Sequence, residues 1–387
     1  GRTMDTGVSI VGIGQLPVLR ASQLSLRELG AAAVRRALAD AGADRADALF
    51  VGNMLADELQ GQKHIASLIA DEAGLVGAEA LQVRAATATG AAALRMAYLA
   101  VAGGQAEVAV ALGVEKMSSD RPHVVSALAK ALDAEREVRS GATLLSQNAR
   151  LMQLYLDRYG LRITDFDGFA LNAHANANHN PNALFHDRVV TAADVDASPV
   201  VSAPLRLHDA APICDGAAAV VVTRTGQARA FTDRPVRMLG ASVVTDRFRI
   251  EDRDDPLRLA AATRSAHEAF RRANVHRSDI GFFEVHDAFS IMSALILEAT
   301  GFAEPGQGWR LAADGAIRPG GRLPISTMGG LKARGHPIGA SAIYQTCEIV
   351  AQLTGRAGAN QLADPRVALL QSVGGAGSTV LTHIFGV

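Results

Sequence analysis

A layered α/β fold built from two echoing halves, with a segment inserted between them, is predicted by three features of this sequence. Apolar strand-like runs alternate with helix-period segments, the same order of elements appears twice, and the pattern loosens over residues 118–207. The spacing predicts a first half over residues 4–117 and 208–232, an inserted loop subdomain over 118–207, and a second half over 233–387. Gly1-Arg2-Thr3, ahead of Met4, carry no reading.

The first half opens with Val8-Ser9-Ile10-Val11-Gly12-Ile13-Gly14, a buried strand running into a glycine turn. A helix period follows over residues 25–41, then Asp44-Arg45-Ala46-Asp47 and a strand over 48–51. The second half repeats this order with a strand over 236–242, a helix over 257–273, His276-Arg277-Ser278-Asp279, and a strand over 280–285. An offset of 232 residues carries Asp44 to His276, Asp47 to Asp279 and Phe50 to Phe282. Further on, Gly90-Ala91-Ala92-Ala93-Leu94 opens a helix as Gly339-Ala340-Ser341-Ala342-Ile343 does, and the apolar strand at 108–112 is answered at 367–370. Chance likeness of α/β units explains one such match. This many point to an internal duplication of βαβ-type halves with a pseudo-two-fold axis. The insertion holds an amphipathic helix over 142–159 and the polar run Asn172-Ala173-His174-Ala175-Asn176-Ala177-Asn178-His179-Asn180, which together predict a lid over a ligand.

Composition narrows the function. The chain has 387 residues, 49% hydrophobic and 20% charged, with a net charge of −1, which is ordinary for a soluble globular protein and gives no reason to expect binding to nucleic acid or an acidic membrane. Two cysteines exclude a disulfide framework and fit a cytoplasmic location. No apolar run is long enough to span a bilayer, and no secretory leader pattern is present.

The most specific local pattern is Gly335-His336-Pro337-Ile338-Gly339-Ala340-Ser341-Ala342. Glycine admits torsions closed to other residues, and proline fixes φ at what reads as the first turn of a helix. His336 would then be held at the positive end of a helix dipole, where oxyanions are stabilised. Lys332 and Arg334 flank this turn, either to meet phosphates or simply to be solvated. Tyr344, on the helix that follows, could move a proton or pack in the core.

Several further motifs agree. Glu115-Lys116-Met117-Ser118 closes a strand, Thr164-Asp165-Phe166-Asp167-Gly168-Phe169-Ala170 precedes a helix, and Cys214-Asp215-Gly216-Ala217-Ala218-Ala219 opens a strand. Glu284-Val285-His286-Asp287-Ala288-Phe289 and Gln371-Ser372-Val373-Gly374-Gly375-Ala376-Gly377 follow in the second half. With the Gly-His-Pro turn, these identify the chain as a member of the thiolase superfamily, over nearly its whole length. The His286-Asp287-Ala288-Phe289 segment resembles the H-D-C-F motif of the sterol-carrier-protein-2 type, the lipid-transfer-protein branch. The resemblance implies a five-layer αβαβα fold, a homodimer, and acyl-CoA as substrate. Coenzyme A arrives as part of that substrate, and no tightly bound cofactor or metal is expected.

The departures from the family matter as much. Where a thiolase carries its nucleophilic cysteine in a Cys-Ala-Ser-Gly pattern, this chain has Thr87-Ala88-Thr89-Gly90. The H-D-C-F cysteine is Ala288, and the C-terminal cysteine position holds Ser372 or, shifted by one, Gln371. Cys214 and Cys347 stand at core positions and read as small hydrophobes. Thr87 would need an adjacent base to act as a nucleophile, for which His336 is available; otherwise it lines the acyl pocket or donates a hydrogen bond.

By resemblance, one oxyanion hole maps onto His336 with His286 beside it, and a second onto the backbone N–H groups of Thr87 and Gly375, next to Gly374. Asp287 adjoins His286 but is expected on the opposite face of its strand. Such a site can cleave a β-hydroxyacyl-CoA by a retro-aldol route without a covalent acyl-enzyme. The steroid-side-chain aldolases of this branch work beside a DUF35 partner with an oligonucleotide/oligosaccharide-binding fold, and the resemblance implies such a partner here. An acetyl-CoA acetyltransferase with an unconventional nucleophile and a silent acyl-CoA-binding subunit are the alternatives. The alanines at 88–93 suggest an acyl pocket larger than acetyl. His174 and His179 read as a solvated helix face, and His64 and His208 have no motif context.

Overall fold

The structure, a computed structural model, describes residues 7–387, so the start of the first half at residues 1–6 lies outside the described residues. The first half runs β1 (Val8–Gln15), α1 (Leu26–Ala41), β2 (Ala48–Gly52), α2 (Ala56–Leu59), α3 (Ile65–Glu72), β3 (Glu79–Val83), α4 (Thr89–Ala102) and β4 (Val108–Lys116). Between β4 and the strand that returns to the sheet lie α5 (Arg121–Ala129), α6 (Leu144–Tyr159), α7 (Asp167–Ala177), α8 (Ala192–Ala197) and the small ribbon of β5 (Val200–Ser202) and β6 (Leu205–Arg206). β7 (Asp215–Arg224) closes the first half. The second comprises β8 (Val236–Thr245), α9 (Ala260–Ala273), β9 (Phe282–Glu284), α10 (Ser290–Ala299), α11 (Gly308–Ala313), α12 (Gly330–Ala333), α13 (Ser341–Leu353), β10 (Val367–Gly374) and β11 (Thr379–Gly386).

The strands form one mixed nine-stranded sheet in the order β3-β2-β4-β7-β1-β8-β11-β10-β9. β2 runs parallel to β3 and β4, whereas β7 is antiparallel to both β4 and β1. The second half repeats the pattern, with β9 parallel to β10 and β11 antiparallel to β10 and β8. Even the outermost pairing has a counterpart, because Ile325 bridges Phe283 in parallel where β3 pairs with β2. The halves meet through β1 and β8, antiparallel from Val8↔Met238 to Ile10↔Val236.

The duplication is visible in atomic packing. Gly12 and Gly14 lie within β1, not in a turn as the sequence suggested, because α1 crosses the strand too closely for a side chain. A Cβ on Gly12 would stand 2.5 Å from the Ala37 carbonyl oxygen and 2.7 Å from the Ala41 Cβ. In β8, a Cβ on Gly240 would meet the Ala269 oxygen at 2.5 Å and the Ala273 Cβ at 2.9 Å, the same contact one half later. Both helices also end alike: Gly42 (φ 62°) and Asn274 (φ 53°) take the left-handed conformation that stops a helix.

α1 and α3 cover the outer face of the first half-sheet and α9 that of the second, while α4 and α13 pack on each other between them. Every residue of α13 is buried, as a helix in a central layer requires. The result is the α-β-α-β-α layering of a thiolase-like fold. The alanines of α4 serve this layer: Ala88, Ala91 and Ala92 pack on Ala342 and Leu381, and Gly90 lies against the Gly339 carbonyl. They therefore do not enlarge an acyl pocket, which corrects the inference drawn from their small size.

Candidate active site

The Gly335–His336–Pro337 turn is built by its neighbours. Gly335 has φ 118°, a conformation nearly closed to other residues, and Val18 and Cys214 leave no room for a Cβ. Pro337 does not begin α13 directly. It leads into a short 3-10 turn, Ile338–Ala340, and the helix starts at Ser341. Glu115 fixes that turn from the end of β4. Its carboxylate accepts from the N–H groups of Met54 (2.9 Å), Leu55 (3.0 Å) and Gly339 (3.0 Å) and from the Asn53 amide (2.9 Å). Burial pushes the Glu115 carboxyl up to about 7 despite these donors.

His336 and His286 meet edge to face, with ring centroids 5.4 Å apart and planes at 84°. Nδ1 of His336 lies 2.5 Å from the Ser341 hydroxyl, whose next acceptor is the Pro337 carbonyl at 3.3 Å. When Ser341 donates to Nδ1, Nε2 carries the proton and is a donor; the reverse arrangement makes Nε2 an acceptor. Burial holds both rings neutral. It carries His286 down to about 3, helped by Lys332, and holds His336 well below the ordinary histidine range, helped by His286 and Arg334.

Both histidines line a cavity of about 390 Å³, together with Thr87, Lys332, Gly375 and residues of the inserted segment such as Leu128, Leu144 and Phe185. Its walls are mostly apolar, and Arg20, Arg121 and Arg188 are exposed at its rim. Neither Cys214 nor Cys347 reaches it. Both are fully buried, and burial raises both thiols, Cys214 to about 12.

Thr87 follows Ala86, a non-glycine residue at φ 49°, a backbone strain of about 1–2 kcal/mol that aims the next residue at the cavity. Its hydroxyl donates to the Val373 carbonyl (2.6 Å) and accepts from the Gly375 N–H (3.1 Å). The proton a base would have to remove is thus held by a carbonyl. The Gly375 N–H assigned to a second oxyanion hole is already engaged. Gly374 keeps this crossing tight, since a Cβ there would stand 2.8 Å from the Ala85 oxygen.

Other sequence candidates fall outside the cavity. Tyr344 is buried, donates to the Leu16 carbonyl (2.7 Å) and accepts from the Ala217 N–H (2.9 Å), so it ties α13 to β7 and to the residue after β1, outside the cavity. Arg334 was expected at the surface; it is fully buried, paired with Glu348 (3.1 Å) and bonded to the Gly335 carbonyl, and cannot meet phosphates. Asp287 accepts from the Leu331 N–H (2.8 Å) and sits against Gly330, so it anchors α12. Ser372 is buried without a partner for its hydroxyl and does not line the cavity. Lys332 is buried too, but it does reach the cavity, with Nζ on the Asp287 carbonyl (2.9 Å).

The solvated-face reading holds for His179, which is exposed, and fails for His174, which is buried. Asn172, Asn176 and Asn180 reach across to the carbonyls of Ile325 (3.0 Å), Ser326 (3.0 Å) and Met328 (2.9 Å) and clamp the segment that leads to the Gly-His-Pro turn. The spacing of four from Asn172 to Asn176 on α7, continued to Asn180 just beyond the helix, was the available signal. His174, on the same helix, and His208 both line the cavity, which no sequence motif marked.

Comparison with known proteins agrees with this architecture. Residues 8–226 match the family "Thiolase, N-terminal domain" and residues 242–387 match "Thiolase C-terminal domain-like". The chain belongs to the thiolase superfamily. It is 40% identical over 380 residues to an acetyl-CoA acetyltransferase of Methanothermobacter thermautotrophicus, covering 98% of this chain and 99% of that one. It is 29% identical to human sterol carrier protein 2 over 97% of its own length and 71% of that protein's. Among solved structures, the "Ltp2-ChsH2(DUF35) aldolase" superposes with a TM-score of 0.84 at 25% identity, over 99% of this chain and 98% of that one. This thiolase relative is thus a CoA-thioester enzyme, akin both to sterol carrier protein 2 and to an aldolase. No helix among the described residues is long and apolar enough to cross a membrane.

Proposed function

We propose that this enzyme cleaves the Cα–Cβ bond of a β-hydroxyacyl-CoA by a retro-aldol route, with no covalent acyl-enzyme. One observation carries the reading: two neutral, facing histidines stand in a cavity whose lining holds no thiol, while the hydroxyl of Thr87 is bound at both ends. Nε2–H of His336 would donate to the thioester oxygen as the enolate forms, and a preorganised donor of this kind contributes about 3–4 kcal/mol. His286 would move the proton at Cα. The exposed Arg20, Arg121 and Arg188 would meet the CoA phosphates, and the apolar walls suit a bulky acyl group. The Ltp2-ChsH2(DUF35) aldolase, named for a DUF35 component, supports a similar partner for this chain. A homodimer is part of the same reading.

The 40% identity to an acetyl-CoA acetyltransferase favours a second reading, acyl transfer to or from CoA. Mass spectrometry of CoA species separates the two after incubation with matched β-hydroxyacyl-CoA and β-ketoacyl-CoA panels, each with and without free CoA. Shortened acyl-CoA and a carbonyl product from the hydroxy panel, independent of free CoA, are expected. Shortening of only the keto panel, and only with CoA, would overturn the retro-aldol reading.

A further inference from the structure

The cavity contains a second histidine pair, at a second wall. His174 on α7 and His208 in the turn Leu207–Asp209 meet edge to face at 5.2 Å and 87°, close to the geometry of His286 and His336. Lys332 lines the cavity with all four rings, and its charge bears on both His174 and His286.

His174 is 2% exposed, yet its Nδ1 has no hydrogen-bond partner. Buried ring nitrogens are normally satisfied, so an orphan in a ligand cavity marks a place for a substrate atom. The ring is not free to turn away: Phe185 lies against it at 5.5 Å, and α7 is clamped by its asparagines. Burial first, then His208, Lys332 and Arg188, lowers its pKa to about 3 and keeps it neutral. In the tautomer that carries its proton on Nε2, the open Nδ1 is a proton acceptor. His208 is only half-buried, and its turn is pinned by Asp209, which binds Arg206 (2.9 Å) and Ser290 (3.0 Å). It therefore links the buried ring to solvent.

We propose that His174 is the base that takes the β-hydroxyl proton and that His208 passes this proton outward. This assignment rests on the retro-aldol reading above. The O–H proton goes to His174, and the O–H electron pair becomes the second bond of the product carbonyl. The Cα–Cβ pair enters the enolate at His336. A proton from solvent, delivered through His286, then quenches Cα, so the step needs no oxidant or co-reactant. The two pairs divide the work: one serves the thioester, the other the β-carbon.

The test uses the full-length enzyme with two readouts, β-hydroxyacyl-CoA cleavage and solvent-deuterium exchange at Cα of the acyl-CoA product. Exchange needs only the thioester pair. His174→Gln is expected to lower the kcat for cleavage by about 100-fold or more, the range for a lost general base, with KM and exchange within about 3-fold. His208→Gln is expected to lower cleavage by about 10-fold, with recovery on adding imidazole. Wild-type cleavage in His174→Gln, or equal loss of cleavage and exchange, would overturn the assignment. If His174→Gln does not fold, His208→Gln decides: cleavage at the wild-type rate, or a loss that imidazole does not rescue, overturns it. Exchange without any cleavage by the wild-type enzyme removes the retro-aldol reading itself, and this assignment with it.

Discussion

His336 is the residue on which most of the chemistry converges. His336→Ala is expected to lower turnover by about 100- to 1,000-fold, the effect of losing one oxyanion donor, while acyl-CoA binding measured by calorimetry changes little. Equal activity in the variant would contradict its role. The pH profile follows from the same site. Because burial lowers the pKa of both His286 and His336, the neutral rings persist as pH falls below the ordinary histidine value. The kcat/KM profile should therefore show no acid limb near pH 6.5, and a limb there would mean a group outside this pair controls the rate. His383 offers a stability test away from the site. It is buried in β11 with both ring nitrogens unpaired, and burial lowers it to about 3. A depressed histidine pKa means that the unfolded chain binds the extra proton, so its contribution is lost as pH falls below about 6.5. His383→Leu should raise the melting temperature at pH 7, by removing an unsatisfied polar group that costs about 1–3 kcal/mol. The advantage should grow toward pH 5; a lower melting temperature at both pH values would refute this.

The elements show why the turn holds its place. Gly113 in β4 lies directly beneath the 338–340 turn, where a Cβ would run into the Gly339 oxygen and stand 2.5 Å from the Ala340 Cα. Gly113→Ala must displace that backbone, because neither atom belongs to a flexible side chain. A loss of activity of up to about 100-fold is expected, the order reached when a positioned catalytic group shifts by 1 Å; full activity with wild-type stability would contradict the packing. The sequence predicted α1, α9 and β1 because their apolar periods decide them. It did not predict the roles of Tyr344, Arg334 and the α7 asparagines. Tyr344 and the asparagines bond main-chain groups far along the chain, such as Leu16 for Tyr344, while Arg334 pairs with Glu348 inside the protein. Period and composition carry no information about such partners. Lys332 and Arg334 stand two residues apart, yet one reaches the cavity and the other an internal ion pair.

At the scale of the molecule, duplication made the fold legible. The 232-residue offset that aligns Phe50 with Phe282 also aligns the left-handed ends of α1 and α9, at Gly42 and Asn274. Function was less legible because it depends on what breaks the symmetry. The Gly-His-Pro turn belongs to one half, and the insertion that supplies His174 and His208 belongs to the other. Motifs marked the first and nothing marked the second. The central claim is carbon–carbon cleavage without a covalent acyl-enzyme. Its most direct test is the intact mass of the protein during turnover of a β-hydroxyacyl-CoA in deuterium oxide, with the product acyl-CoA analysed in parallel. The account predicts unmodified protein throughout and at least one deuterium at Cα of the released acyl-CoA, with no need for free CoA. An acyl adduct on the protein, at Thr87 or a cysteine, discharged only when CoA is added, would contradict it.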